Sequence, residues 1–188
     1  MKLLHLLPAL LITGAVATTT TGPDTSTTPG ACCAAGALQD KESPTGPTLA
    51  AIVALAGDWY AVDEDGAVTD QLVSRYRVTA GGNAVLETVF PGQDEEMITM
   101  YHQDGKDLVL THYCVVGNQT SYRASFDADG KTLVYTCTGV TNTDTHDAAH
   151  MHEGRIAPAA GGRLQSTWNM IEKGESIFLA DYTLARKE

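Results

Sequence analysis

The sequence predicts an all-β domain: an antiparallel up-and-down barrel of about ten strands, preceded by a short N-terminal helix. From residue 57 onward, short runs rich in apolar residues are separated by turn residues such as Asp65-Gly66, Pro91-Gly92 and Asp104-Gly105. Turns at this regular spacing are typical of sandwiches and barrels. The spacers are too short for the crossovers that parallel strands need. Because an open sheet of this size would leave two long edges, we expect closure into a barrel.

The individual elements follow from local patterns. The helix is expected in TLAAIVALAGDW, where Leu49, Ile52 and Val53 keep a rough helical spacing and Gly57 provides the stop. The expected strands, each bounded by turn residues, are GDWYAV, TDQLVSRYRVTA, AVLETVF, EEMITMYHQ, DLVLTHYC, SYRASFDA, KTLVYTCTG, HMHEGRIA, GRLQSTWNMIE and SIFLADYTLA.

Composition divides the chain into three segments. Residues 1–17, MKLLHLLPALLITGAVA, combine a lysine, an apolar run and an Ala-x-Ala-like end, which is the pattern of a secretory signal peptide. Residues 18–47 are rich in Thr, Gly, Pro and Ser and are expected to be a disordered leader. Residues 48–188 are the predicted barrel domain. We therefore expect export, to a periplasm or to the medium, and a mature chain without a transmembrane segment.

The net charge limits the expected binding partners, and the number of cysteines indicates the cellular compartment. With 12 basic and 23 acidic residues the net charge is −11, which disfavours nucleic acid and anionic membranes as partners. Four cysteines fit an oxidising compartment. Cys114 and Cys137 are the expected disulfide, whereas the adjacent Cys32 and Cys33 are expected to be free or cross-linked. Lipid anchoring at Cys32 is not expected, because it lies far beyond the apolar run and lacks an aliphatic residue three positions earlier.

The densest group of polar residues is THYCVVGNQT at 111–120. If Asp104-Gly105 form the centre of a tight hairpin, His112 lies opposite Met97. Alternation then places His112 on the same, inward face as Leu108 and Leu110. We expect His112 to bind a ligand inside the barrel.

Other polar residues could complete that site. Asn118 and Gln119, after a glycine, are expected either at the barrel mouth against a ligand or in a simple turn. Arg123 would pair with an anionic ligand or face water. His150 and His152, two positions apart, could bind one metal ion with His112 as the third nitrogen, or could be structural residues satisfied by hydrogen bonds.

No nucleophile elbow, zinc-protease helix motif or P-loop occurs in the sequence, so enzymatic activity is not predicted. Cys114, with His112 as its base, is a candidate nucleophile, and a disulfide bridge to Cys137 would abolish that role. The sequence identifies no cofactor and no oligomeric state. A metal ion or haem on the histidines is the alternative to a small-molecule ligand.

Several stretches resemble known proteins. LAGDWYA resembles the opening of calycin-type barrels. LETVFPG, EEMITMYHQDGKDLVLTHYCVVGNQ, GVTN and HMH are similar to a family of exported bacterial proteins of unknown function with a lipocalin-like barrel. The likeness covers roughly residues 49–185, but Thr120-Ser121 stand where that family has a proline and a basic residue. The resemblance implies no established reaction, and implies a group near one barrel mouth made of His112, Asn118, Gln119, His150 and His152.

The sequence is compatible with three functions. The favoured one is an exported barrel that binds a small, partly apolar molecule without transforming it. The second is a metal- or haem-dependent site, with weak hydrolytic or redox activity. The third is an interaction module in which the polar cluster is structural.

Overall fold

A computed structural model describes residues 46–145 and 147–187 of the chain. The predicted signal peptide at 1–17, nearly all of the predicted leader, and Cys32 and Cys33 lie outside the described residues.

The described residues form one helix, two short 3-10 segments and ten strands. In chain order they are α1 Leu49–Val53, β1 Gly57–Val62, β2 Val68–Thr79, the 3-10 segment Ala80–Gly82, β3 Ala84–Val89, β4 Met97–Asp104, β5 Asp107–Tyr113, β6 Gln119–Phe126, β7 Leu133–Thr141, β8 His150–Ala159, the 3-10 segment Ala160–Gly162, β9 Arg163–Glu172 and β10 Glu175–Ala185.

The strands close into a barrel. Each pairs antiparallel with the next in sequence, and β1 returns to β10 through the pairs Tyr60–Ala185 and Ala61–Leu184. Closure removes the two edges that an open sheet would expose. The predicted fold, an all-β antiparallel barrel of ten strands with a short leading helix, is confirmed.

The helix covers one end of the barrel. It contacts β2, β3 and β4, and its Ile52 is fully buried in the core. The backbone N–H of Leu49 donates to Oε1 of Gln103 at 2.9 Å, close to the β4–β5 turn. The indole N–H of Trp59 donates to the carbonyl of Leu55 at 2.8 Å, which joins the helix exit to β1. No helix in the described part of the chain is long and apolar enough to cross a membrane.

Aromatic side chains fill much of the interior. Tyr101 lies with its ring centroid 6.3 Å from that of Tyr76 and 5.9 Å from that of Tyr135. Tyr135 in turn lies 5.7 Å from Trp168. Such tilted contacts suit the charge distribution of aromatic rings. Along β4, Tyr101 is nearer the helix-covered end and Met97 nearer the opposite end, where the interior is less filled.

The β4–β5 hairpin has a different register from the one the sequence predicted. Asp104 pairs with Asp107, so the two turn residues are Gly105 and Lys106, and His112 lies opposite Thr99 rather than Met97. Gly105 has φ of 57°, and glycine at the first central position is the preference of one common hairpin turn. A shift of two residues preserves alternation, so His112 still faces inward and is buried.

Candidate functional site

A cavity of about 90 Å³ lies inside the barrel, towards the end opposite the helix. Its wall is mostly apolar, with a few polar side chains on one side. The lining residues are Val73, Ser74, Glu87, Val89, Phe90, Met97, His112, Met151, Ser166, Trp168, Phe178, Ala180 and Tyr182.

Four polar residues form a row across neighbouring strands beside this cavity. Glu87 on β3 pairs with Thr99 on β4, Thr99 pairs with His112 on β5, and His112 pairs with Thr120 on β6. All four side chains are buried. Because cross-strand partners lie on the same face of a sheet, the register itself brings these groups together inside the barrel.

Glu87 is a buried carboxyl group held by hydroxyl donors. The Tyr101 hydroxyl donates to Oε2 at 2.6 Å, and the Ser74 hydroxyl donates to Oε1 at 2.8 Å. Burial raises the pKa of Glu87, since removing a carboxylate from water penalises its charged form, and the hydroxyl donors act in the opposite direction. Glu87 therefore has its oxygens occupied by the protein.

His112 presents the unpaired polar atom of the cavity. Its Nδ1 lies 3.0 Å from the Thr99 hydroxyl oxygen, whereas its buried Nε2 has no hydrogen-bond partner among the described residues. Burial lowers the pKa of His112 to about 4, so the ring is neutral at neutral pH. A neutral imidazole keeps one nitrogen to donate and one to accept, and Nε2 can bind a single polar group.

Trp168 forms one wall of the cavity and fixes the orientation of His112. The two rings are stacked, with centroids 5.6 Å apart and an interplanar angle of 27°. Trp168 also meets Tyr122 edge-on at 5.7 Å. On its other side it lies against Gly154, where an added Cβ would come within 2.6 Å of a ring carbon. Only glycine at position 154 leaves space for this placement of the indole.

The other residues predicted at the ligand site do not line the cavity. The Asn118 side chain is buried and its Nδ2 donates to the Ala149 carbonyl at 2.8 Å. Gln119 Nε2 donates to the Gly117 carbonyl at 3.1 Å. Arg123 is exposed and lies 3.2 Å from an oxygen of Asp107. In the structure these contacts brace turns and the outer face of the barrel.

His150 and His152 lie together, but their third neighbour is not His112. Nε2 of His150 is 3.1 Å from Nδ1 of His152. Cys137 joins them, and the possible ligand atoms of the three residues lie within 4.8 Å of one another. His112 belongs instead to the cavity wall. The structure therefore divides the predicted histidine set between two places.

Cys114 and Cys137 are free thiols in the structure, so the expected disulfide is not formed. The register gives the reason. The backbone of Cys114 bonds that of Asn118, whereas Cys137 lies opposite Tyr122. Positions 118 and 122 are roughly 13 Å apart along an extended strand. That separation is well beyond the limit of about 7 Å between the Cα atoms of a disulfide.

Glu87 and Thr99, which belong to the buried polar row beside the cavity, were not identified from the sequence. Alternation in AVLETV places Glu87 on the face of Val85 and Val89, which is a signal that a carboxylate points inward. The position of Thr99 opposite His112 can be derived only once the β4–β5 register is known. The sequence predicted Cys137 in a disulfide, whereas the structure places it beside His150 and His152.

The fold and cavity define a closed ten-stranded antiparallel β-barrel with a small, mainly apolar interior cavity, an architecture consistent with calycin-type barrels. Comparison with models of known protein families and with curated protein sequences gave no match. The barrel class therefore rests on the structure alone.

Proposed function

We propose that this barrel binds a small, neutral, partly apolar molecule in its interior cavity without transforming it. The observation that carries the proposal is Nε2 of His112, a buried polar atom without a hydrogen-bond partner among the described residues, in a mostly apolar wall. A buried polar group left unpaired costs about 1–3 kcal/mol. A ligand with one hydroxyl group would remove that cost, and its apolar part would contact the surrounding side chains.

The volume limits the size of the ligand. A cavity of about 90 Å³ is smaller than the roughly 150 Å³ cavity known to hold benzene, and far below the roughly 300 Å³ at which pockets for drug-sized molecules begin. The ligand is therefore a compact molecule, or one end of a longer molecule. Haem is much larger than this cavity, so a haem site here would require the barrel mouth to open.

The charges near the cavity favour a neutral ligand. The low pKa of His112 leaves that ring uncharged at neutral pH, and Glu87 already accepts from Tyr101 and Ser74. Neither group provides a positive charge to an anion. An isolated ion would lose its hydration without compensation.

Binding is favoured over reaction for a related reason. A nucleophile needs a base within hydrogen-bond reach. The Ser74 hydroxyl, which lines the cavity, donates to Glu87, but Glu87 also accepts from Tyr101, so both carboxyl oxygens are already held by the protein. The unpaired Nε2 of His112 supplies one polar contact with which the mostly apolar wall can recognise a ligand.

One lining residue of the cavity, Phe178, lies beside exposed apolar residues of β10. Phe178 lines the cavity and is 52 % exposed, and its neighbours Ile177 and Leu179 are 51 % and 62 % exposed. They belong to the β9–β10 hairpin, whose Glu172 and Glu175 pair close to the turn. We propose that an apolar ligand enters along this hairpin.

Export and family membership belong to the same proposal. The segment at 1–17 supports export, and the stretches similar to exported lipocalin-like proteins support that family. Export would be tested by sequencing the N-terminus of the mature protein isolated from the organism that produces it. We expect cleavage after Ala17.

A pair of ligands that differ by one hydroxyl tests the binding proposal. Phenol and benzene, single rings that can extend out of the cavity beside the half-exposed Phe178, would be titrated against the full chain, and binding would be measured by Trp fluorescence and ligand-observed NMR. We expect phenol to bind more tightly than benzene by roughly fivefold, which corresponds to about 1 kcal/mol for one hydrogen bond. His112→Leu should abolish the preference and His102→Ala, an exposed histidine on the outer face, should retain it. Equal affinity of the two ligands for the wild type, or no binding, would overturn the proposal.

A further inference from the structure

Cys137, His150 and His152 form a cluster separate from the cavity. We propose that these three side chains bind a zinc-type transition-metal ion, with a water molecule as the fourth ligand. Their possible ligand atoms all lie within 4.8 Å of one another, and His150 is buried. This inference is independent of small-molecule binding, since none of the three residues lines the cavity.

Strand geometry brings the three residues together. The β7–β8 ladder runs from the pair Leu133–Ile156 to the pair Thr136–Glu153, so Cys137 and His152 are the next opposed residues. On the other edge of β8, the pairing with β9 shifts between Met151 and Glu153. Bulges of this kind redirect side chains, and here the bulge includes His152.

The distances are close to those of a metal site. In a tetrahedral zinc site the bonds are about 2.0–2.1 Å to nitrogen and about 2.3 Å to sulfur. These lengths imply about 3.3 Å between two nitrogens and about 3.6 Å between sulfur and nitrogen. The distance between His150 Nε2 and His152 Nδ1 is 3.1 Å, and the ligand atoms of the three residues all lie within 4.8 Å of one another. A shift of about 1 Å by the least well placed atom would complete the geometry.

The hydrogen bonds prepare His150 as a ligand. Its Nδ1 lies 2.8 Å from the carbonyl oxygen of Ala148, and a carbonyl can only accept. The proton is therefore on Nδ1, and Nε2 carries the lone pair that accepts from His152 in the metal-free protein and that a metal ion would take. A backbone carbonyl that fixes the second nitrogen is the usual support of a metal-binding histidine.

Metal binding moves one proton within the cluster and releases another to solvent. His152 Nδ1–H now donates to His150 Nε2, so His152 must carry its proton on Nε2 instead when Nδ1 binds the ion. The Cys137 thiol loses its proton to solvent as the metal–sulfur bond forms. No oxidation or reduction takes place. Each divalent ion that binds displaces one proton, the thiol proton of Cys137.

The donor set selects the class of metal. One thiolate and two imidazoles suit zinc and other borderline or soft transition metals, whereas calcium and magnesium prefer oxygen ligands. Three protein ligands leave a fourth position open to water or a small anion. His152 and Cys137 are only partly buried, so an ion can enter from solvent.

Cobalt and zinc titrations test the site. Full-length protein treated with chelator and reductant would be titrated with Co²⁺ and then with Zn²⁺. We expect a tetrahedral visible spectrum, a thiolate-to-cobalt charge-transfer band in the near ultraviolet, and displacement of cobalt by one equivalent of zinc. Cys137→Ser should remove the charge-transfer band, and His152→Ala should weaken zinc binding at least roughly a hundredfold.

Matched variants assign the result to this cluster. Cys114→Ser changes the other described thiol, and His102→Ala changes a histidine on the outer face. Both should retain the wild-type spectrum. His112→Leu should also retain it, which separates this test from the phenol experiment. A charge-transfer band that persists in Cys137→Ser, or a wild-type spectrum without one, would overturn the proposal. Circular dichroism of the metal-free variants would confirm that each one folds.

Discussion

Trp168 on β9 lies directly against the backbone of Gly154 on β8, its paired residue in the barrel. A Cβ at position 154 would come within 2.6–2.8 Å of three ring carbons of the indole. The same indole stacks on His112, the residue with the unpaired nitrogen. A glycine that carries no functional group thus helps to position the candidate site.

Gly154→Ala should therefore destabilise the barrel and disturb the cavity. The indole is held between Tyr122, Tyr135 and His112 and cannot move without shifting them. We expect a loss of about 1–3 kcal/mol in the free energy of unfolding. Urea denaturation would measure the loss, and the phenol titration would show reduced affinity.

Gly139→Ala is the matched control for that change. Gly139 also lies in a strand, and a Cβ there would meet nothing within 4 Å. Its effect on stability should be small, because it fills open space. An equal loss in the two variants would show that the contact with Trp168 is not the cause.

Stability should fall in mild acid because of His112. Its pKa is 6.5 in the unfolded chain and about 4 in the folded protein, so between these values the unfolded state binds more protons. The contribution is fully present above pH 6.5 and is lost as the pH falls towards 4. The full difference is about 3 kcal/mol. Glu87, whose pKa is raised, acts in the opposite direction, since its protonated form is favoured in the folded state.

Comparison with His112→Gln isolates the histidine. Both proteins keep Glu87 and the other histidines, so the difference between their unfolding free energies reports His112 alone. We expect the wild type to lose up to about 3 kcal/mol relative to the variant between pH 7 and pH 4, measured by urea denaturation. Parallel pH curves for the two proteins would contradict the assignment.

Two fully buried tyrosines should respond differently to loss of their hydroxyl groups. Tyr101 donates to Glu87 at 2.6 Å, whereas the Tyr135 hydroxyl has no partner among the described residues. Tyr101→Phe should cost about 1–3 kcal/mol, because it removes a buried hydrogen bond and leaves an oxygen of Glu87 without this donor. Tyr135→Phe should be neutral or stabilising, because it removes an unpaired polar atom. Thermal unfolding of both variants would test this difference, and similar losses would show that Glu87 is not held by Tyr101.

The class of fold could be derived from sequence because its signals are local. Glycine-containing turns and alternating apolar positions locate the strands, and spacers too short for crossovers leave antiparallel pairing with the next strand as the available arrangement. Alternation also identified His112 as inward-facing, since a register error of two residues leaves the face of a side chain unchanged.

The candidate sites depended on distances between strands, which local patterns do not determine. The register of the β4–β5 turn decided that His112 meets Thr99. The end of the β7–β8 ladder and the bulge in β8 decided that His150 and His152 meet Cys137 rather than His112.

The sequence by itself determined a β-barrel, its strand order and the inward face of His112. Only the tertiary structure decided that Glu87 lies in the cavity wall, that Cys114 and Cys137 stand too far apart to be bridged, and that Trp168 covers Gly154. The physical reason is that alternation fixes the face on which a side chain lies, whereas register and barrel closure fix its neighbours.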